Sequence, residues 1–196
     1  DRNITLVACL TGNYTAPMKL YPSPADVERV KCEDPYVCIA PTSVWFSKQW
    51  PAERWIELMG EVPEEYRIFL LGAPGDREIC QQIAAQSDHP QVEVRAGDLS
   101  LLESAALMAG AEMNYVNDSA PMHLASAMDA PVTAVFLSTV PRFGFGPRSK
   151  VSHVVETSEN LACRPCGLHG FKECPEGHFR CAEIPVESFP IPTLGE

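Results

Sequence analysis

The chain reads as an α/β protein, a mostly parallel sheet with helices on both faces. Between residues 36 and 156, short apolar β-rich runs alternate with segments whose apolar residues recur at helical spacing. Runs such as "TAVFL" (133–137) are apolar in character without alternation, as in strands covered on both faces. A length of 196 residues, 45% of them hydrophobic, suffices for one well-cored domain and at most an appendage.

In chain order, strands are expected at "YVCIA" (36–40), "YRIFLLG" (66–72), "VEVRAG" (92–97), "EMNYVN" (112–117), "PVTAVFL" (131–137) and "VSHVVE" (151–156). The intervening "PAERWIELMGEV", "DREICQQIAAQ", "LSLLESAALMAG" and "APMHLASAMD" are expected as helices. Strand and helix in alternation produce parallel pairing through crossovers. Residues 1–35 read as a linker, rich in Pro and turn residues, and "DRNITLVACL" within it fits either a helix or a strand end. The domain proper is expected over 36–160, a Cys-rich knuckle over 161–182, and a proline-rich tail over 183–196.

A formal charge of −11 argues against broad binding of nucleic-acid backbone, which requires a basic surface to displace counterions. An anionic ligand must therefore be held locally, by backbone NH groups, a helix N-terminus or one or two cations. No run of about 18 apolar residues predicts a membrane-spanning helix. The opening "DRNITLV" has neither the basic start nor the cleavage site of a secretory signal, and it lacks an initiating Met, as an excised piece of a longer chain would.

In a parallel sheet ligands sit beyond the carboxyl ends of the strands, so each of those loops is a candidate. The first, "APTSVWFSKQWP" (40–51), carries Thr42, Ser43, Ser47 and Lys48 ahead of a Trp-Pro helix start. Hydroxyls and one ammonium before a helix dipole suit a phosphate, and equally a decorated turn. The second, "LGAPGDREIC" (71–80), sets Asp76 and Glu78 after two glycines. A carboxylate there can accept from ribose hydroxyls or simply complement a helix N-terminus. In the third, Ser100 and Glu103 have capping-box spacing, and the structural reading wins.

The fourth loop is "NDSAPMHLASAMDAP" (117–131). Asp118 follows a strand, Ser119 is placed to cap, Pro121 suits a first helical turn, and His123 lies one turn in. The NH groups at this helix mouth suit a diphosphate oxygen; the residues alone leave a capped core helix equally open.

Cys163, Cys166, Cys174 and Cys181 crowd into "CRPCGLHGFKECPEGHFRC", with His169 and His178 between them. A C-x2-C pair chelates one tetrahedral ion and two further soft ligands complete it, so structural zinc or iron is expected, with free thiols or disulfides as alternatives. The remaining four cysteines are scattered in apolar surroundings, as buried thiols are.

Taken in order and spacing, "SVWFSKQWPAERWIEL", "FLLGAPGDREIC", "AGDLSLLESAALMAGAEMNYVNDSAPMHLASAMDAPVTAVF" and the Cys-rich segment resemble the C-terminal half of family 9 glycosyltransferases, the ADP-heptose:lipopolysaccharide heptosyltransferases. The resemblance runs from about Tyr36 to Cys181, and residues 1–35 resemble the linker between the family's two halves. It implies the C-terminal, Rossmann-like domain of a GT-B fold, holding a nucleotide-sugar donor while an N-terminal half holds a glycolipid acceptor.

By position, Thr42 and Ser43 would face phosphate, and Lys48 would contact phosphate or ribose. Asp76 or Glu78 would take the ribose. Asp118, Ser119 and Ala120 would cradle the diphosphate beside His123, and Met108 or a neighbour would lie against the base. No cofactor is implied for catalysis, and the location implied is cytoplasmic, at the inner face of the membrane. Family members commonly have Gly where Ala120 stands, and the family's catalytic base is expected in a half lying outside this sequence. A non-catalytic nucleotide-binding or metal-knuckle assembly module is the alternative.

Overall fold

A computed structural model of the chain describes residues 8–10, 12 and 16–193. Of the segment "DRNITLVACL", residues 8–10 are helical and the first seven lie outside the described residues. Six strands form one sheet: β1 (Tyr36–Ala40), β2 (Arg67–Leu70), β3 (Val92–Val94), β4 (Met113–Asn117), β5 (Val132–Phe136) and β6 (Ser152–Glu156). All neighbours run parallel, in the order β3-β2-β1-β4-β5-β6. The strands lie where apolar runs predict them: β1, β4 and β6 end with the run, and β5, β2 and β3 end one, two and three residues short of it.

The helices are α1 (Pro24–Arg29), α2 (Ala52–Glu61), α3 (Arg77–Gln86), α4 (Leu101–Ala109) and α5 (Ala120–Ala127). Helix α1 lies inside the stretch read as linker. Ser23 Oγ accepts from Asp26 N while Asp26 Oδ2 accepts from Ser23 N, and Pro24 occupies the first turn. That reciprocal cap starts a helix in a proline-rich context. Arg29 then fastens α1 to α4 through Glu103 (2.9 Å) and the Asp98 carbonyl (3.1 Å). Glu103 is at the same time the partner of Ser100 in the expected capping box.

Each face of the sheet has its own core. One packs Ile39, Ile68, Leu70, Tyr115 and Val135 against Trp55, Leu58, Met59 and Ile83 of α2 and α3. The other packs Cys38, Phe69, Val116, Ala134 and Phe136 against Leu107, Met108, Met122 and Ala125 of α4 and α5. Central strands β1, β4 and β5 are buried at every residue, and the edge strand β6 is mostly exposed.

The C-terminal stretch returns to the first core. Phe189 stacks on Trp50 at 4.8 Å, Trp50 Nε1 donates to the Ala182 carbonyl, and Tyr115 Oη donates to the Pro190 carbonyl. Among the described residues no helix is long and apolar enough to cross a membrane.

Candidate functional site

The strand order reverses between β1 and β4: from β1 the sheet grows one way through β2 and β3, and from β4 the other way through β5 and β6. The loops leaving β1 and β4 therefore diverge to opposite faces and leave a crevice at their carboxyl ends. The Lys48 loop and the start of α5 sit at this point. Asn117, fully buried at the end of β4, pins the β1 loop at both ends: its Nδ2 donates to the Pro41 carbonyl (2.8 Å) and its Oδ1 accepts from Trp50 N (3.1 Å). Between those pins, Gln49 Nε2 donates to the Ser43 carbonyl (2.7 Å).

So held, Lys48 Nζ lies 2.6 Å from Asp118 Oδ2, with the two side chains only 14% and 8% exposed. Thr139, just after β5, donates its hydroxyl to the same oxygen at 2.6 Å. The carboxylate is thus balanced by a cation and a hydroxyl, as a buried charge requires. His123 stands close enough to feel both charges. Burial holds its pKa below the usual 6.5, Asp118 pulls it upward, and Lys48 pushes it down again.

Ser119 occupies the N-cap position of α5, but its hydroxyl points back to the Asn117 carbonyl (3.3 Å) and makes no capping bond. This corrects the expected cap. The Asn117 carbonyl takes the hydroxyl instead, so among the described residues no side chain is seen to satisfy the NH groups at the helix mouth, where the dipole is positive. Ala120 opens the helix without strain: among the described residues the only non-glycines at positive φ are Asp129 and Phe179. Ala in place of Gly therefore costs the backbone nothing here.

Lys48, Asp118, Ser119, Ala120 and His123 are brought together, with Thr42 and Ser43 half-buried at the root of the Lys48 loop. Asp76 and Glu78 belong to the neighbouring β2 loop. Asp76 Oδ2 accepts from Ala73 N (2.7 Å), so that oxygen serves the turn, while Glu78 is exposed on α3 with Gln82 beside it. The β3 loop backs this turn: Gly97, at φ +79°, presses so close to Pro74 that a Cβ would lie 2.8 Å from its Cα. Met108 is fully buried in the second core and offers no surface to a base.

Asn117, Ser138 and Thr139 were not singled out as site residues from sequence. Their partners lie 21 to 91 residues away, and only the polar ends of apolar runs hinted at them.

All eight cysteines are free. Cys181 is pushed up to about 11 by burial, and then by the neighbouring thiols of Cys166, Cys174 and Cys163, with Arg164 opposing. Burial also raises Cys166, aided by Cys163 and Cys174. The four cysteines thus share one neighbourhood, where His178 Nε2 contacts Cys163 Sγ at 3.8 Å. Among the described residues no three His, Cys, Asp or Glu side chains are closed up into a ready metal site.

A six-stranded parallel sheet with its polar groups gathered at the reversal of strand order defines a Rossmann-type α/β domain with a switch-point site. The chain belongs to glycosyltransferase family 9 (heptosyltransferase), whose model it matches over residues 6–170. The lipopolysaccharide heptosyltransferase 1 of Pseudomonas aeruginosa is 32% identical over 135 residues, which cover 67% of this chain and 36% of that protein. The E. coli heptosyltransferase WaaC, solved with ADP, superposes with a TM-score of 0.61 at 27% identity, covering 78% of this chain and 48% of that one. A family 9 glycosyl transferase from Veillonella parvula DSM 2008 gives a TM-score of 0.69 at 23% identity, covering 79% and 47%. The chain thus spans less than half the length of each.

Proposed function

We propose that this chain is the donor-binding half of an inverting glycosyltransferase, holding ADP-heptose or a related nucleotide sugar for transfer to a lipopolysaccharide-type glycolipid. The work would be done in the cytoplasm, at the inner face of the membrane. The observation that carries the reading is the Lys48–Asp118 pair at the uncapped mouth of α5. Asp118 and Thr139 hold the ammonium in place, and Lys48 and the NH groups of residues 119 and 120 face a diphosphate. As the bond from the sugar carbon to the diphosphate breaks, negative charge grows on the leaving group. Donors already aimed at it stabilise that charge without reorganising, as in an oxyanion hole. Asp76, with one oxygen committed to its turn, keeps the other for ribose hydroxyls. The relative crystallised with ADP supports the choice of nucleotide.

Calorimetry with ADP tests this. The unmodified chain is expected to bind, with affinity weakened about tenfold or more in Lys48→Ala. Equal binding by wild type, Lys48→Ala and Asp118→Asn, or none by the folded wild type, removes the site.

For the Cys-rich segment we propose a structural zinc or iron ion on Cys163, Cys166, Cys174 and Cys181. The soft donor set and the closeness of the four cysteines in one segment support such an ion. A fully ligated ion keeps no open position, so it would order the segment and take no part in transfer. Elemental analysis of protein purified under reducing conditions is the check: less than about 0.2 metal per chain discards the ion.

A further inference from the structure

Residues 163–171 touch both of the loops that converge on Asp118. On one side, Arg164 donates Nε to the Leu137 carbonyl (2.6 Å) and Nη2 to the carbonyls of Phe136 (3.1 Å) and Thr139 (3.0 Å), with Glu156 as its counter-ion. Cys166 N donates to the Ser138 carbonyl at 2.9 Å. These bonds fix the turn after β5 that delivers the Thr139 hydroxyl.

On the other side, Phe171 N donates to Ser47 Oγ (2.8 Å) and Ser47 N donates to the Phe171 carbonyl (3.1 Å), a reciprocal pair across 124 residues. Ser47, 1% exposed, also bonds Ser138 Oγ at 3.0 Å, so the two sides close on each other. Gly170 lies flat against the same loop: a Cβ there would sit 2.3 Å from Trp45 Cβ and 3.1 Å from Lys48 Cγ.

We propose that residues 163–171 are a brace that sets the Lys48 ammonium and the Thr139 hydroxyl on Asp118, with Arg164, Ser47 and Gly170 as positioning residues for anion binding. The Lys48 loop has need of one. Val44 is 91% exposed and Phe46, though stacked on Phe179, 47%, so the loop's outer turn lies outside the main core, and a lysine left to order itself loses entropy on binding an anion. Preordering the loop from behind moves that cost out of the binding step. For its ligand the brace rests on the donor-site reading above; its geometry stands without it.

The test combines backbone hydrogen exchange, the ¹⁵N shift of the Lys48 ammonium, and calorimetry with ADP and with adenosine, on the full chain carrying Ser47→Ala, Gly170→Val or Arg164→Gln. The brace predicts faster exchange at the Ser47 amide or its neighbours, a moved Lys48 signal, and ADP affinity weakened about tenfold with adenosine unchanged. Loss of Ser47 protection with ADP affinity and the Lys48 signal unmoved overturns it. So does an equal fall for both ligands, which marks general loosening. Should wild type bind neither ligand, the donor reading fails, and the exchange and Lys48 signals alone decide the brace. Where Gly170→Val does not fold, Ser47→Ala, which deletes one oxygen, carries the test.

Discussion

Asp118 concentrates the physical chemistry of the site in one oxygen, Oδ2, which receives both Lys48 and Thr139. Truncating Lys48 leaves a nearly buried carboxylate with one hydroxyl as partner. Lys48→Ala is therefore expected to lose on the order of 3 kcal/mol of stability in urea unfolding, and Asp118→Asn combined with Lys48→Ala to recover part of it. His123 sets the pH behaviour. Its folded pKa lies below the unfolded value, so between the two the native chain binds fewer protons than the unfolded chain. Its contribution is full above about 6.5 and is lost as pH falls through the folded value. A bound diphosphate would favour the imidazolium, so ADP affinity is expected to rise from pH 8 to pH 6, and to lose that slope in His123→Gln. Calorimetry across that range checks both.

At the scale of elements, the loops matter more than the helices they precede. Asn117 holds the Lys48 loop through the Pro41 carbonyl and the Trp50 NH, both on buried residues and with no other partner seen among the described residues. Asn117→Ala strands both, and is expected to cost about 2 kcal/mol or more and to weaken ADP binding along with it. Chemical denaturation and calorimetry on the same variant would show whether the two effects travel together. The capping box at Ser100 and the place of each strand were legible in sequence because they depend on residues three apart or on runs of one polarity. Helix α1 was missed although Ser23, Pro24 and Asp26 carry the same local signal, because six residues without a buried side chain leave no apolar periodicity to read. The expected cap by Ser119 failed because side-chain type predicts a cap, but the carbonyl of Asn117 at the end of β4 takes the hydroxyl.

Across the whole molecule, the Cys-rich segment and the C-terminus close the structure around the switch point. Phe189, 4% exposed, completes an aromatic stack with Trp50 and lies 6.2 Å from the Tyr115 ring. Phe189→Ala is expected to destabilise the chain by about 3 kcal/mol and to lower its thermal midpoint, as measured by calorimetric unfolding. The alternation of apolar runs and helical spacing determined the α/β class, the place of each strand, and the candidacy of Lys48 and Asp118, because those signals are local and repeat with the period of the element. Only the tertiary structure decided that Lys48 and Asp118 meet, that Asn117 and Thr139 hold them, and that residues 163–171 reach Ser47. Such contacts join positions 21 to 124 apart through the strand order, and nothing in local spacing encodes which loops a reversed sheet will bring to one edge.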